Sequence, residues 1–140
     1  MKRFLLLLIG IFIWYQLTRK PETMKPYHAN IEKLTLENPY YRRVLYTTPT
    51  LQLVLMTLLP GEEIGVEQHN NVSQFFRIEQ GNGVAIIDGI EYPLSDGDVV
   101  IVPPGAKHNF INTSSVSLKL YSLYSPPEHP PDRVQCEKPS

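Results

Sequence analysis

From residue 29 to residue 124 the chain is a succession of short runs rich in Val, Ile, Leu, Phe, Tyr and Thr, separated by Gly, Pro, Asp and Asn. Helical periodicity is absent after residue 28. Many short strands at regular spacing, with turn residues between them, make a sandwich or a closed barrel. The runs predict strands over residues 29–34, 42–47, 51–59, 74–80, 84–88, 90–92, 99–102, 108–112 and 116–124. Within 51–59, Leu51, Leu53, Leu55 and Leu59 share one face, because side chains alternate along a strand. Gly81-Asn82-Gly83 is expected to pair 74–80 with 84–88. Asp88-Gly89 is a two-residue hairpin turn into 90–92. Asp96-Gly97 turns into 99–102, and Pro103-Pro104-Gly105 ends that strand. The pattern does not repeat, so one barrel per chain is expected, over residues 24–125.

The flanks differ in composition. Residues 4–17 are apolar apart from Gln16 and are bordered by Lys2, Arg3, Arg19 and Lys20. Fourteen residues of helix reach only ~21 Å, against a hydrocarbon core of ~30 Å. Snorkelling of the basic side chains and local thinning of the bilayer make a short span feasible. Residues 1–23 are therefore expected to be a membrane anchor. The rival is a cleaved secretory signal, which would leave a secreted domain. The run has the charged start for that but no small-x-small cleavage site. A buried core helix is disfavoured because the run lacks a polar face. At the other end, residues 126–140 are proline-rich and polar and are expected to be extended or loose. His129 in that tail, like His28, reads as solvated.

Charge and cysteine usage exclude several functions. From Met24 onward there are nine Lys/Arg and thirteen Asp/Glu, a net charge of −4 with no basic stripe, so no nucleic-acid partner is expected. Cys136 is the single cysteine and can form neither an intrachain disulfide nor a zinc knuckle. No Ser/His/Asp arrangement, P-loop or dinucleotide fingerprint is present.

Two segments carry the residues of interest. Glu67 and His69 stand two apart and share a face if their segment is extended. Gln74 shares a face with Phe76 and Ile78, which read as barrel interior. A buried amide there needs a metal, a water or a ligand as partner. His108 follows the Pro103-Pro104-Gly105 turn. If its strand runs beside the first segment, two imidazoles and one carboxylate converge. Such a set, with coordination positions left open, suits one divalent ion: Fe, Mn, Ni, Co or Zn. Gln74 is either a fourth, weak oxygen ligand or a residue that orients bound water or substrate. The bland alternatives are satisfied core histidines and a solvated Glu67. Tyr121 and Tyr124 read as core or pocket wall, with proton donation as a second role.

These segments resemble the two motifs of the cupin family. The first motif is G-x5-H-x-H-x(3,4)-E-x6-G, and Gly61, Glu67, His69, Gln74 and Gly81 stand at its positions. The second, G-x5-P-x-G-x2-H-x3-N, is complete in Gly97, Pro103, Gly105, His108 and Asn112. Glu67 replaces the usual first histidine and Gln74 the usual glutamate. Small single-domain cupins with this variant are most similar, also through NIEKLTLENPYYRRVLYT, QFFRIEQG and LYSLYSPPEHP. The resemblance implies a jelly-roll barrel, or double-stranded β-helix, with metal ligands at Glu67, His69, Gln74 and His108. It implies a small-molecule substrate or ligand and a reaction of the dioxygenase, decarboxylase, isomerase or lyase kind. Glu67, as base, and Tyr121, as proton donor, are then the candidate catalytic groups. A ligand-binding module held at a membrane is the alternative, and an assembly role the third. The family also implies a homodimer, with residues 29–34 adding to a neighbour's sheet.

Overall fold

The computed structural model describes residues 23–140, and from Arg42 onward the described chain is built of strands. In chain order these are β1 (Arg42–Thr47), β2 (Gln52–Leu58), β3 (Ser73–Gln80), β4 (Gly83–Ile87), β5 (Ile90–Leu94), β6 (Val99–Val102), β7 (His108–Asn112), β8 (Leu118–Ser125) and β9 (Val134–Gln135). They form a six-stranded sheet in the order β6-β3-β8-β2-β1-β9 and a three-stranded sheet in the order β5-β4-β7. All pairings are antiparallel. This is the expected all-β jelly roll. The core lies between the sheets, where Phe76 of β3 meets Phe110 of β7 with ring centroids 4.0 Å apart. Val54, Met56 and Leu58 of β2 face the same interior and are fully buried. The face carrying Leu51, Leu53, Leu55 and Leu59 is the outer one; its ends, Leu51 and Leu59, are exposed.

Residues 29–34 are not a strand. Helix α1 (Ile31–Glu37) begins there, with Asn30 as its N-cap accepting a 3.0 Å hydrogen bond from the Lys33 amide. The inward positions are Ile31, Leu34, Thr35 and Asn38, the i, i+3, i+4, i+7 spacing of a helix face. The signal was present but spans only two turns. The C-terminal end is held from outside: Thr57 Oγ1 donates to the Asn38 carbonyl at 2.7 Å, and Lys119 Nζ donates to the carbonyls of Leu36 and Asn38. A cation at this end also opposes the helix dipole. Being helical, this segment offers no strand to a neighbouring sheet.

The Gly81-Asn82-Gly83 stretch is a corner, not a hairpin turn. β3 pairs with β6 and β8, while β4 pairs with β5 and β7. The chain changes sheet between them, and the backbones approach too closely for side chains. A Cβ on Gly81 would stand 2.7 Å from the Ser117 carbonyl oxygen, and one on Gly83 2.4 Å from that of Ile111. The Asp88-Gly89 turn is as expected: both residues have positive φ, +48° and +81°, and Ile87 pairs with Ile90. Asn112, fully buried, bonds the carbonyls of Leu58 (2.9 Å) and Val116 (2.8 Å), so the last residue of the second motif ties three chain segments together.

The tail is not loose. β9 pairs with β1, Arg42 opposite Gln135 and Arg43 opposite Val134. Upstream of it, the fully buried amide of Gln52 donates to the His129 carbonyl at 2.7 Å and accepts from the His129 amide at 2.9 Å. His129 is thereby pulled against Tyr124, ring centroids 5.1 Å apart. The expected anchor over residues 4–17 lies outside the described residues. Among those described, no helix is long and apolar enough to cross a membrane.

Candidate metal centre

Glu67 and His69 lie between β2 and β3, in a segment held by the second motif. Glu67 and His108 exchange both backbone hydrogen bonds at 2.9 Å, forming an isolated antiparallel bridge. Residues directly opposite in such a bridge project to the same face. The His69 carbonyl accepts from the Gly105 amide at 2.8 Å, and Gln68 Nε2 donates to the Gly105 carbonyl at 2.8 Å. The turn of the second motif thus holds the histidine of the first.

The side chains converge as the sequence predicts. His69 Nε2 lies 3.5 Å and His108 Nε2 3.7 Å from Glu67 Oε2, and one ligand atom from each residue falls within 4.8 Å of the others. These separations exceed hydrogen-bond length. Atoms bonded to one ion at ~2.1 Å stand roughly 3.0–3.4 Å apart when adjacent, so small adjustments bring all three onto a single cation. The same three atoms, Glu67 Oε2, His69 Nε2 and His108 Nε2, are buried and have no hydrogen-bond partner. Buried polar atoms in native proteins are nearly always satisfied. Three orphans facing one point fit a divalent ion.

The outer nitrogens support the same reading. His108 Nδ1 lies 3.0 Å from the Ala106 carbonyl, to which it can only donate, leaving the Nε2 lone pair free. His69 Nδ1 faces Glu128 Oε2 at 3.5 Å. Metal-bound imidazoles commonly carry such outer acceptors. Glu128 has no place in either motif. It comes from the proline-rich tail, held by Gln52, and no spacing in the sequence points to it. Replacing Glu128 with Gln is expected to weaken metal binding ~10–100-fold without unfolding the chain. Competition with a chelator of known affinity measures this; an unchanged affinity would remove Glu128 from the site.

Burial by itself raises the pKa of Glu67, but His108, His69 and Arg42 together outweigh it and hold the carboxyl below its usual range. For His108, burial lowers the pKa, while the Glu67 carboxylate and the Ala106 carbonyl outweigh it and raise it. Each group favours the charged form of the other.

Gln74 is buried on the inner face of β3, two residues from Phe76, whose ring centroid is 6.3 Å from that of His108. Its Nε2 lies 3.5 Å from Ser122 Oγ, and its Oε1 is buried without a partner. Tyr121 is not brought to the site. Along β8, buried Leu120, Ser122 and Tyr124 alternate with half-buried positions, and Tyr121 stands on the outer face beside Phe75, centroids 6.2 Å apart. The inward tyrosine is Tyr124.

His129 is not solvated either. Burial, aided by the positive charge of Arg42, lowers its pKa to about 4. The unfolded chain binds that proton near pH ~6.5. Stability from the neutral ring is therefore fully present above pH ~6.5 and is lost as pH falls towards 4. Replacement by Phe is expected to flatten the stability profile in that window, as read by thermal melts. A slope equal to wild type would mean that His129 titrates normally.

Comparison with known proteins agrees with this architecture. A family model described as "Cupin domain" matches residues 54–124. Uncharacterized protein L612 of Acanthamoeba polyphaga mimivirus is 42% identical over 117 residues, covering 81% of this chain and 73% of that protein. YrkC of Bacillus subtilis, also uncharacterized, is 44% identical over 112 residues, 76% of this chain; the match spans 60% of YrkC. A crystal structure of a Bacillus halodurans protein superposes with a TM-score of 0.81 at 36% identity, over 86% of this chain and 96% of that one. More distantly, gentisate 1,2 dioxygenase 1 of Aquipseudomonas alcaligenes is 33% identical over 81 residues, 58% of this chain and 23% of the dioxygenase.

Proposed function

The chain belongs to the cupin family, and from that premise we propose that it binds one divalent metal ion through Glu67, His69 and His108 and acts there on a small molecule. The observation that carries this reading is the convergence of three buried, unpartnered ligand atoms. A bound ion would supply Lewis acidity to a carbonyl, enolate or hydroxyl oxygen of the substrate. The protein's own groups divide the remaining work. The Ala106 carbonyl and Glu128 orient the imidazoles. Glu67, held ionised, is a metal ligand and the nearest group able to accept a substrate proton. Gln74 brings a free amide oxygen to the interior, suited to orienting a water or a substrate hydroxyl. Of the two tyrosines, Tyr124, buried on the inner face of β8, is the phenol suited to proton donation. The distant match to a dioxygenase favours oxygen chemistry over isomerisation or lyase chemistry.

A second reading, a non-enzymatic ligand-binding module, is favoured by Gln74. A neutral amide where most cupins have a carboxylate weakens the ligand set. One experiment separates the two. The purified chain is loaded in turn with Fe(II), Mn, Ni, Co and Zn and screened with dihydroxybenzoates, dicarbonyls and sugar phosphates. Turnover that disappears in His69→Ala supports the enzyme; binding without product under every metal supports the module.

A further inference from the structure

Arg42 is a buried cation without an acidic partner. It lies on the inner face of β1, between exposed Arg43 and the buried end of the preceding loop, and is 7% exposed. No carboxylate among the described residues stands within ion-pair distance of it. Its polar contact is with a neutral group: Nη1 donates to Gln135 Oε1 at 2.7 Å. The guanidinium also rests over the Tyr41 ring, 5.2 Å from its centroid. Nε is buried and has no partner. Burying an unpaired charge is costly, and such groups are normally matched by an opposite charge.

The position of Arg42 points to what matches it. Tyr41, on which it rests, directs its hydroxyl to the Ile64 carbonyl at 3.5 Å, three residues before Glu67. Arg42 stands opposite Met56 of β2, which is fully buried in the core between the sheets. With Nη1 engaged by β9, the other edge of the guanidinium carries Nε, which is buried without a hydrogen-bond partner. That edge presents two parallel N–H donors, the spacing that a carboxylate accepts through both oxygens.

We propose that Arg42 anchors a carboxylate group of the small molecule that binds beside Glu67, His69 and His108. The inference rests on the metal-site reading for its neighbour but not for its chemistry. It narrows the substrate class to carboxylic acids whose reacting end lies away from the anchored group. Gln135 and Tyr41 hold the guanidinium in place; Arg42 supplies recognition and takes no part in bond making.

The test uses the full-length chain with paired probes of equal shape and different charge: benzoate against benzamide, and acetate against acetamide. Inorganic phosphate serves as a third anion. Binding is followed by NMR line broadening of the probe, and metal content by elemental analysis of each sample. Wild type is expected to favour each carboxylate over its amide. Arg42→Met is expected to weaken benzoate binding about 30-fold or more, leaving benzamide and metal content unchanged. Arg42→Lys retains the buried charge should the Met variant fail to fold; it is expected to lose most of the carboxylate preference, because it lacks the fork. No preference in wild type, or an undiminished preference in Arg42→Lys, overturns the proposal. So does Arg42-dependent binding of phosphate alone. Metal lost in parallel with benzoate also overturns it, since Arg42 would then act through Glu67. Wild type that holds no metal but keeps an Arg42-dependent preference supports the anion site and sinks the metal reading instead.

Discussion

Replacing His108 with alanine is expected to abolish the proposed binding of a divalent ion by the purified chain. The imidazole is 3% exposed, and its Nε2 is one of the three converging atoms. Its removal leaves one imidazole and one carboxylate, too few to hold a divalent ion against dialysis. Loss of an outer-shell partner costs ~10–100-fold in metal affinity, and loss of a direct ligand should exceed that, passing ~100-fold. Elemental analysis after dialysis reads the result, with circular dichroism to show that the sheet survives. His69→Ala should behave alike, because its Nε2 stands 3.5 Å from the same carboxylate oxygen. If both variants retained wild-type metal content, the ion would be bound elsewhere and the three orphaned atoms would need another explanation.

The second large effect is on folding. Adding one methyl group at Gly83 is expected to cost about 2–4 kcal/mol, beyond the usual cost of overpacking, because the obstacle is backbone. The new Cβ would stand 2.4 Å from the Ile111 carbonyl oxygen and 3.1 Å from Leu118 Cδ2. The leucine can turn aside, but Ile111 is held in β7 by its pairing with Val84. The melting temperature should drop by roughly 10 °C. Gly89→Ala offers the contrast: nothing lies within 4 Å of its Cβ, so the cost there comes from its φ of +81° alone. A melting point for Gly83→Ala equal to wild type would mean that the corner yields more easily than its packing implies.

These two sites also mark how far the sequence can be read. The strands were legible because alternation and turn dipeptides are local. β1 and β7 fall on the expected residues, and Asp88-Gly89 makes the expected turn. Gly81-Asn82-Gly83 misled because a glycine pair serves equally for a hairpin and for a crossing between sheets. The atoms that decide, the carbonyls of Ser117 and Ile111, lie about thirty residues downstream. Helix α1 was missed for a related reason. Its inward face is four residues, and what holds it are Thr57 and Lys119, supplied by β2 and β8.

The site divides in the same way. Glu67, His69 and His108 were readable from spacing, because strand alternation and the turn of the second motif bring them together. Of the two tyrosines on β8, Tyr121 and Tyr124 stand an odd number of residues apart and so on opposite faces, and only Tyr124 points inward. Glu128, His129 and Arg42 carried no motif at all. Gln52 grips the tail and so sets Glu128 beside His69 and His129 against Tyr124, while β9 docks on β1 and brings Gln135 to Arg42.

By itself, then, the sequence determined where the chain extends, where it turns and which side chains were available as ligands, since each depends on neighbours a few residues away. Tertiary structure alone decided which strands became partners, which face of β8 looked inward, and that the C-terminal tail docks beside His69 and Tyr124. Those outcomes depend on contacts between residues far apart in the chain. Their free energy comes from burying apolar surface and pairing polar groups once the two sheets have met, and nothing local carries that information.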